Sequence, residues 1–488
     1  MRISNEIWNE ALATVVYLAL IEIHSQHEQR SFVSNENPDN NPARYSTERL
    51  MLKHLPKRTI PGTKSAELLK LSKNYEPPCM ADQVPVVWDH GDRVWITDVD
   101  GNEYIDFTSG VLVTNVGHSH PEHVKAIQRQ AERLMNCYSF PTPERVTLSE
   151  RLVKLLPDNL DEIFLLTTGS EATGAALRIA KRFTGKHEIL SFYGGFHGRT
   201  YGPMSVSGSL GTRRKFGPAL PGGIIAPYAY CYRCFYDKTY PDCDFYCLKT
   251  LDRIINSSSS GDLGTIITEP YQGGAGFIFP PEGWLKALEK WGRERNLLLI
   301  VDEVQSSFGR TGKLFMIEWQ DVRPNMLCLG KGIGSGMPAS ALAGESKIFA
   351  SMLPGEMSST CGGNPLASAA SHAVLDIMQK ENLPENSRKV GEYILKRFQE
   401  LQKRRHCLGD IRGKGLVMGL EIVENQQNRQ PAPELTQKII FRCGEYGMLL
   451  GKVGLYGNVI RIAPPLVITE EEAEIGISIL NKVLTELG

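Results

Sequence analysis

The sequence predicts an α/β fold: a large, mostly parallel sheet covered by helices on both faces, with a smaller α+β domain after it. Short apolar runs recur at Ile163–Thr168, Glu188–Phe192, Thr265–Thr268, Leu297–Val301, Met326–Leu329 and Ala341–Ala343. Separated by helical or loop lengths, they have the character of strands buried on both faces. After the first run, Ala172, Ala175, Ala176, Ile179, Ala180 and Phe183 fall three and four apart, one apolar stripe along a helix. Beyond Pro384 the pattern changes to a helix rich in Lys, Arg and Glu, the run GLVMGLEI, a further helix and the strand-like VIRIA, which together make the smaller domain.

In chain order, residues 1–48 stand apart, because the apolar stretch Ala11–Ile21 gives way to the polar, turn-forming run SNENPDNNPARYS. They are read as an N-terminal extension, and Met51 opens a plausible shorter protein. Residues 49–109 are assigned to the small domain as its N-terminal contribution. Within them VWITDVDGNEYIDF alternates apolar and polar positions around Asp100-Gly101, which reads as a β-hairpin. Residues 110–375 form the large domain and 376–488 the remainder of the small one. The helix from Lys389 to Arg405 reads as a solvated amphipathic face.

Composition narrows the function. A chain of 488 residues, 41% hydrophobic, can bury a sizeable core. With 54 Lys and Arg against 55 Asp and Glu, no net field attracts nucleic acid or an anionic membrane. The run Ala11–Ile21 is too short to span a bilayer, and Glu6 and Glu10 are out of place in a secretory leader. A cytoplasmic protein with no nucleic-acid or membrane partner is expected. Ten cysteines in so long a chain do not form a disulfide scaffold.

In an open α/β sheet, ligands sit outside the carboxyl ends of the strands. Those positions carry Gly169, Ser170 and Glu171 after the first run, Glu269 after the third, Asp302 to Gln305 after the fourth and Lys331 after the fifth. Gly169 and Ser170 open a helix, where free backbone N–H groups favour a phosphate, although in isolation a simple helix cap is the better account of them. The glycines of GKGIGSG follow the lysine and no Ser or Thr succeeds Lys331, so neither a P-loop nor a Rossmann turn fits. A lysine between glycines at the end of an apolar strand is costly as a free ammonium, and covalent use as an imine removes that cost. Asp302 is then the natural partner for a protonated pyridine nitrogen.

These segments resemble the class III aminotransferases, pyridoxal-phosphate (PLP) enzymes of fold type I. The likeness runs through DVDGNEYIDFTSG, GHSHP, TTGSEA, FYGGFHGRT, ITEPYQGG, VDEVQSSFGRTG, LGKGIGSGMP, SSTCGGNP, IRGKGL and RIAPPL, in that order from about Val94 onward. The resemblance implies that Lys331 holds the cofactor as a Schiff base and moves the proton, while Asp302 pairs with the ring nitrogen. It further implies that Gln305 bonds the ring hydroxyl and that Val304 and Phe196 pack on the two ring faces. His197 joins the cofactor-binding group, and Gly169 and Ser170 hold the phosphate. Thr360 would donate to the neighbouring subunit's phosphate, which makes the protein a homodimer with shared active sites.

For the substrate, Arg461 resembles the arginine that grips an α-carboxylate, and Glu269 the carboxylate that pairs with it when the donor brings a terminal amine. Arg199 resembles a second carboxylate reader, suited to a diacid such as 2-oxoglutarate. Val111 stands where ornithine-type members carry tyrosine, so the expected donor is a terminal amine such as 4-aminobutyrate. The expected reaction is ping-pong transfer between an amine donor and a keto acid. Amino-acid racemases and decarboxylases use the same scaffold and remain alternatives; a non-enzymatic PLP-binding protein is a remoter one. Cys231, Cys234, Cys243 and Cys247 have spacings that a metal could use, but no metal is assigned and free thiols are the simpler reading. His118 and His120 in GHSHP are read as a turn before a helix rather than as metal ligands.

Overall fold

The computed structural model describes residues 57–79 and 83–487. The extension expected at residues 1–48, with its apolar run, lies outside them.

The expected hairpin is present and has a third strand. β1 (Trp88–Asp92), β2 (Trp95–Asp98) and β3 (Glu103–Asp106) form an antiparallel meander. Its tight turn is built by Asp98, whose Oδ1 accepts from Asp100 N at 3.0 Å and Asn102 N at 2.8 Å, while Gly101 adopts φ +86°. The turn also starts a helix elsewhere: the Asp100 carboxylate accepts from Lys64 N and Ser65 N at 2.8 and 3.0 Å, holding the first turn of Thr63–Tyr75.

The large sheet contains β4 (Glu162–Leu166), β5 (Glu188–Phe192), β6 (Gly223–Ala226), β7 (Leu263–Thr268), β8 (Leu298–Asp302), β9 (Met326–Leu329) and β10 (Ser340–Gly344), ordered β4-β10-β9-β8-β7-β5-β6. β5, β6, β7, β8 and β9 pair in parallel, but β10 runs antiparallel to both β4 and β9. The sheet is therefore mixed, with its one reversed strand near an edge. Every residue of β7, β8, β9 and β10 is buried, as helices on both faces require. The helix Gly169–Thr184 follows β4 and buries Ala172, Ala175, Ala176, Ile179 and Ala180, so the predicted stripe faces the sheet. Phe183 departs from it: at 38% exposure it lies outside the core, two residues before Gly185 ends the helix with φ +68°.

A second antiparallel sheet holds β11 (Leu408–Gly413), β12 (Met418–Ile422), β14 (Gly451–Val453) and β15 (Val459–Ile462), ordered β11-β12-β15-β14. The charged helix Leu383–Gln402 packs beside it on Val390, Ile394 and Phe398, with its charges outward. The short β13 (Met448–Leu449) instead pairs in parallel with β3, so the two ends of the described chain share a sheet. Among the described residues no helix is long and apolar enough to cross a membrane.

Candidate active site

The carboxyl ends of the parallel strands open into a cavity of about 750 Å³. It gathers Gly169, Ser170, Phe196, His197, Arg199, Glu269, Asp302, Val304, Gln305, Lys331 and Arg461, together with Val111. Of the residues expected at the site, Thr360 alone is elsewhere. It is exposed on the loop before the helix Pro365–Lys380 and does not line the cavity of its own chain.

The floor is built by β8 and β9. Asp302 ends β8 with its Oδ2 2.8 Å from His197 Nδ1, both side chains buried, and its Oδ1 accepts from Val304 N at 3.1 Å. The carboxylate is thus fixed in direction before any ligand arrives. Lys331 follows β9 with φ +45°, half-buried, and its side chain has no hydrogen bond or ion pair among the described residues. Burial lowers its pKa, opposed by the charges of Asp302 and Glu269, so its amine is more readily neutral than an ordinary lysine.

Next to it the backbone is packed for a flat ligand. A Cβ on Gly169 would lie 2.5 Å from Val304 Cγ1, and one on Gly273 would strike Gln305 Oε1 at 1.8 Å. Gly169 and Ser170 are the first two residues of a 16-residue helix, where backbone N–H groups lack intrahelical acceptors and the dipole favours an anion. Ser170 Oγ meets Thr200 Oγ1 at 2.6 Å beside them. Gln305 Oε1 is buried without a hydrogen-bond partner, an acceptor that a ligand hydroxyl would satisfy. A phosphorylated pyridine carrying a ring hydroxyl and an aldehyde fits this set: phosphate at the helix end, ring nitrogen at Asp302, hydroxyl at Gln305, aldehyde carbon at Lys331.

Two arginines without a counter-ion among the described residues line the same cavity. Arg461, on β15, is 6% exposed; its Nε has no partner, and no ion pair or hydrogen bond reaches the side chain from the described residues. It lies flat over Gly451, whose missing Cβ would fall 2.3 Å from Arg461 Nη2. Burial lowers its pKa to about 10, against the pull of Asp106, which leaves it cationic at neutral pH. Arg199 is exposed at the rim, its guanidinium 5.7 Å from the centre of the Phe196 ring.

Glu269 does not pair with Arg461 here. Its two oxygens accept from Phe196 N at 2.8 Å and Gly273 N at 2.9 Å, and burial, reinforced by Asp302, raises its pKa to about 7 despite His197. The buried arginine is therefore open to a carboxylate from solution.

Val111 reaches the mouth from an unusual backbone. Ser109, Gly110, Val111 and Leu112 have φ of 47°, 56°, 71° and 62°, a complete left-handed turn. Each L-residue in that conformation costs about 1–2 kcal/mol, so the turn must be held by its surroundings. Tyr271, Ser209, Thr212 and Lys452 also line the cavity. They escaped the sequence reading because none immediately follows an apolar run of the sheet.

The cysteine-rich segment lies outside this cavity. Its four thiols are free, and among the described residues no group of three His, Cys, Asp or Glu side chains is arranged to hold a metal. Trp284 Nε1 donates to Cys247 Sγ at 3.3 Å, and Arg233 Nε donates to the buried Glu421 at 2.6 Å, anchoring the segment to β12. His118 binds Asp106 at 2.8 Å and His120 Nδ1 accepts from Glu122 N, so both serve the turn and the helix start as expected.

Residues 78–484 match the model of the family described as aminotransferase class-III. An alanine/serine racemase of Pyrococcus horikoshii is 36% identical over 449 residues, 90% of this chain and 94% of that protein. A 5-aminovalerate aminotransferase of Pseudomonas aeruginosa is 34% identical over 421 residues, 85% of this chain and 98% of that one. The PLP-bound amine transaminase of an uncultivated Pseudomonas species superposes with a TM-score of 0.80 at 29% identity, covering 85% of this chain and 99% of that structure.

Proposed function

The chain belongs to the class-III aminotransferases, which are PLP-dependent, and from that premise we propose that it transfers an amino group from a terminal-amine donor such as 4-aminobutyrate to 2-oxoglutarate. The observation that carries this reading is that two arginines without counter-ions among the described residues line the same cavity as Lys331, Arg461 buried and Arg199 exposed. Two cations facing one cavity suit a substrate with two carboxylates. A neutral amino acid would use only one of them.

PLP, when bound, supplies an electron sink for the carbon that loses its proton. Lys331 Nζ takes up that proton and returns it, and burial lowers its pKa in the direction that favours the neutral amine this requires. Asp302, oriented by His197, keeps the ring nitrogen protonated, and the first N–H groups of the helix at Gly169 anchor the phosphate. Arg461 binds the α-carboxylate of 2-oxoglutarate and Arg199 its distal carboxylate. With a terminal-amine donor, Arg199 keeps the donor's only carboxylate, and Glu269 leaves Phe196 N and Gly273 N to neutralise Arg461. Val111 offers no polar group to a donor α-amine, which disfavours ornithine. Thr360, exposed on its own chain, completes the phosphate site of a second copy, so the working unit is a homodimer.

A second reading, racemisation of an α-amino acid, is favoured by the likeness to the alanine/serine racemase, and Glu269 held away from Arg461 is compatible with it as with 2-oxoglutarate binding. The two readings part at Arg199. If transfer to a diacid is correct, Arg199→Gln raises KM for 2-oxoglutarate at least tenfold while KM for pyruvate stays within twofold. Equal use of both keto acids by the wild-type enzyme, or an unchanged ratio in the variant, overturns the diacid assignment.

A further inference from the structure

Arg310 lies in FGRTG, beyond the residues that line the cavity, and is fully buried; among the described residues no carboxylate forms an ion pair with it, although the charge of Asp106 acts on it from farther off. Its charge is met by neutral oxygens from three distant parts of the chain. Nη1 donates to Leu416 O at 3.0 Å and to Pro464 O at 2.5 Å. Nη2 donates to Asn115 Oδ1 at 2.7 Å and lies 3.4 Å from Ser109 Oγ, while Nε has no partner. Ser109 Oγ in turn donates to Ala463 O at 2.7 Å, and Asn115 Nδ2 to Phe308 O at 2.7 Å.

Two of these segments, and the loop that carries Arg310 itself, lead to residues that line the cavity. Ser109 opens the left-handed turn that places Val111 at the cavity mouth; Ala463 and Pro464 follow Arg461 by two and three residues; and Arg310 stands eight residues after Asp302 on the loop leaving the cofactor strand. A desolvated cation is costly unless its surroundings point dipoles at it, and this one is satisfied only while both segments stay in place. The surplus of donors binds the turn and the strand end to each other and to the floor.

We propose that Arg310 is a positioning residue for the substrate carboxylate: through Ser109 and Pro464 it sets where Arg461 stands relative to Val111 and Lys331. This deepens the proposed function and rests on Arg461 receiving a carboxylate. Two variants of the PLP-loaded enzyme test it, Arg310→Lys, which keeps the charge but loses the fork, and Ser109→Ala, which removes one hydroxyl and one link. The readout is the half-reaction with glutamate, separated into half-saturation and limiting rate. Arg310→Lys is expected to raise half-saturation at least tenfold and Ser109→Ala about threefold, with limiting rate and PLP content within twofold of wild type. In an Arg461→Lys background, Ser109→Ala should add no further rise, because the group it positions is already gone.

Half-saturation within twofold of wild type in Ser109→Ala, or the same threefold rise with and without Arg461, overturns the assignment, and does so even if Arg310→Lys fails to load PLP. A wild-type enzyme with no saturable reaction with glutamate removes the diacid reading itself, and this inference with it.

Discussion

Glu269 gives the most demanding prediction, because its two roles need different charge states and places. It is 6% exposed, bound by two backbone N–H groups, and its pKa is raised to about 7 by burial first and by Asp302 second. Only the ionised form can leave those amides and neutralise Arg461 for a donor without an α-carboxylate. The sign follows: a raised carboxyl pKa means the charged form is lost as pH falls through about 7, roughly tenfold per unit below it. The half-reaction with 4-aminobutyrate should lose about tenfold in kcat/KM per pH unit below 7. Glutamate, which brings its own carboxylate to Arg461, should show no such limb. Glu269→Gln cannot supply the charge, and an unpaired buried cation costs about 2–5 kcal/mol, so 4-aminobutyrate should lose ~30-fold or more with its pH limb abolished. Glutamate should change by only a few fold. Stopped-flow absorbance of the loaded enzyme with each donor, over a range spanning neutral pH, measures both. The reasoning is refuted if the two donors share one pH limb, or if Glu269→Gln slows them equally.

Three further outcomes follow from the same geometry. Gly169→Ala places a Cβ 2.5 Å from Val304 Cγ1, an overpacking worth about 1–3 kcal/mol, so the variant should lose PLP on dialysis and regain retention with Val304→Ala added. Glu303 is fully buried, and burial raises its pKa to about 7, so the protonated carboxyl stabilises the fold at low pH. That contribution fades as pH rises from 4.5 to about 7, and the stability difference between wild type and Glu303→Gln should shrink by about 3 kcal/mol over that range in urea unfolding. Lys331→Ala should form no glutamate, and borohydride should leave no pyridoxyl group at that position; transamination at the wild-type rate would refute the role of Lys331.

The sheet and the cavity floor were readable because both rest on local pattern. A buried strand writes a short apolar run, and the residue after it sits at the ligand edge, which is how Gly169, Glu269, Asp302 and Lys331 could be picked out together. Strand direction leaves no such mark: Ala341–Ala343 reads like its neighbours, yet β10 runs against them. Phe183 kept the helical spacing but fell where the helix is ending and the sheet no longer covers it. Arg310 was invisible because its partners, Ser109, Asn115, Leu416 and Pro464, are each about 100 residues or more away in sequence. The resting position of Glu269 was equally hidden, since backbone amides rather than a charged side chain hold it.

The central claim is that an amino group moves between two molecules at Lys331, and isotopic labelling tests it most directly. The PLP-loaded enzyme is given 2-oxoglutarate with amine-labelled 4-aminobutyrate, putrescine or β-alanine in turn, and in parallel L-alanine or L-leucine with no keto acid. The account predicts labelled glutamate, one per donor consumed, with at least one of the three amines, and no inversion of the α-amino acids. No labelled glutamate with any of the three amines, or formation of D-alanine or D-leucine without a keto acid, would contradict it.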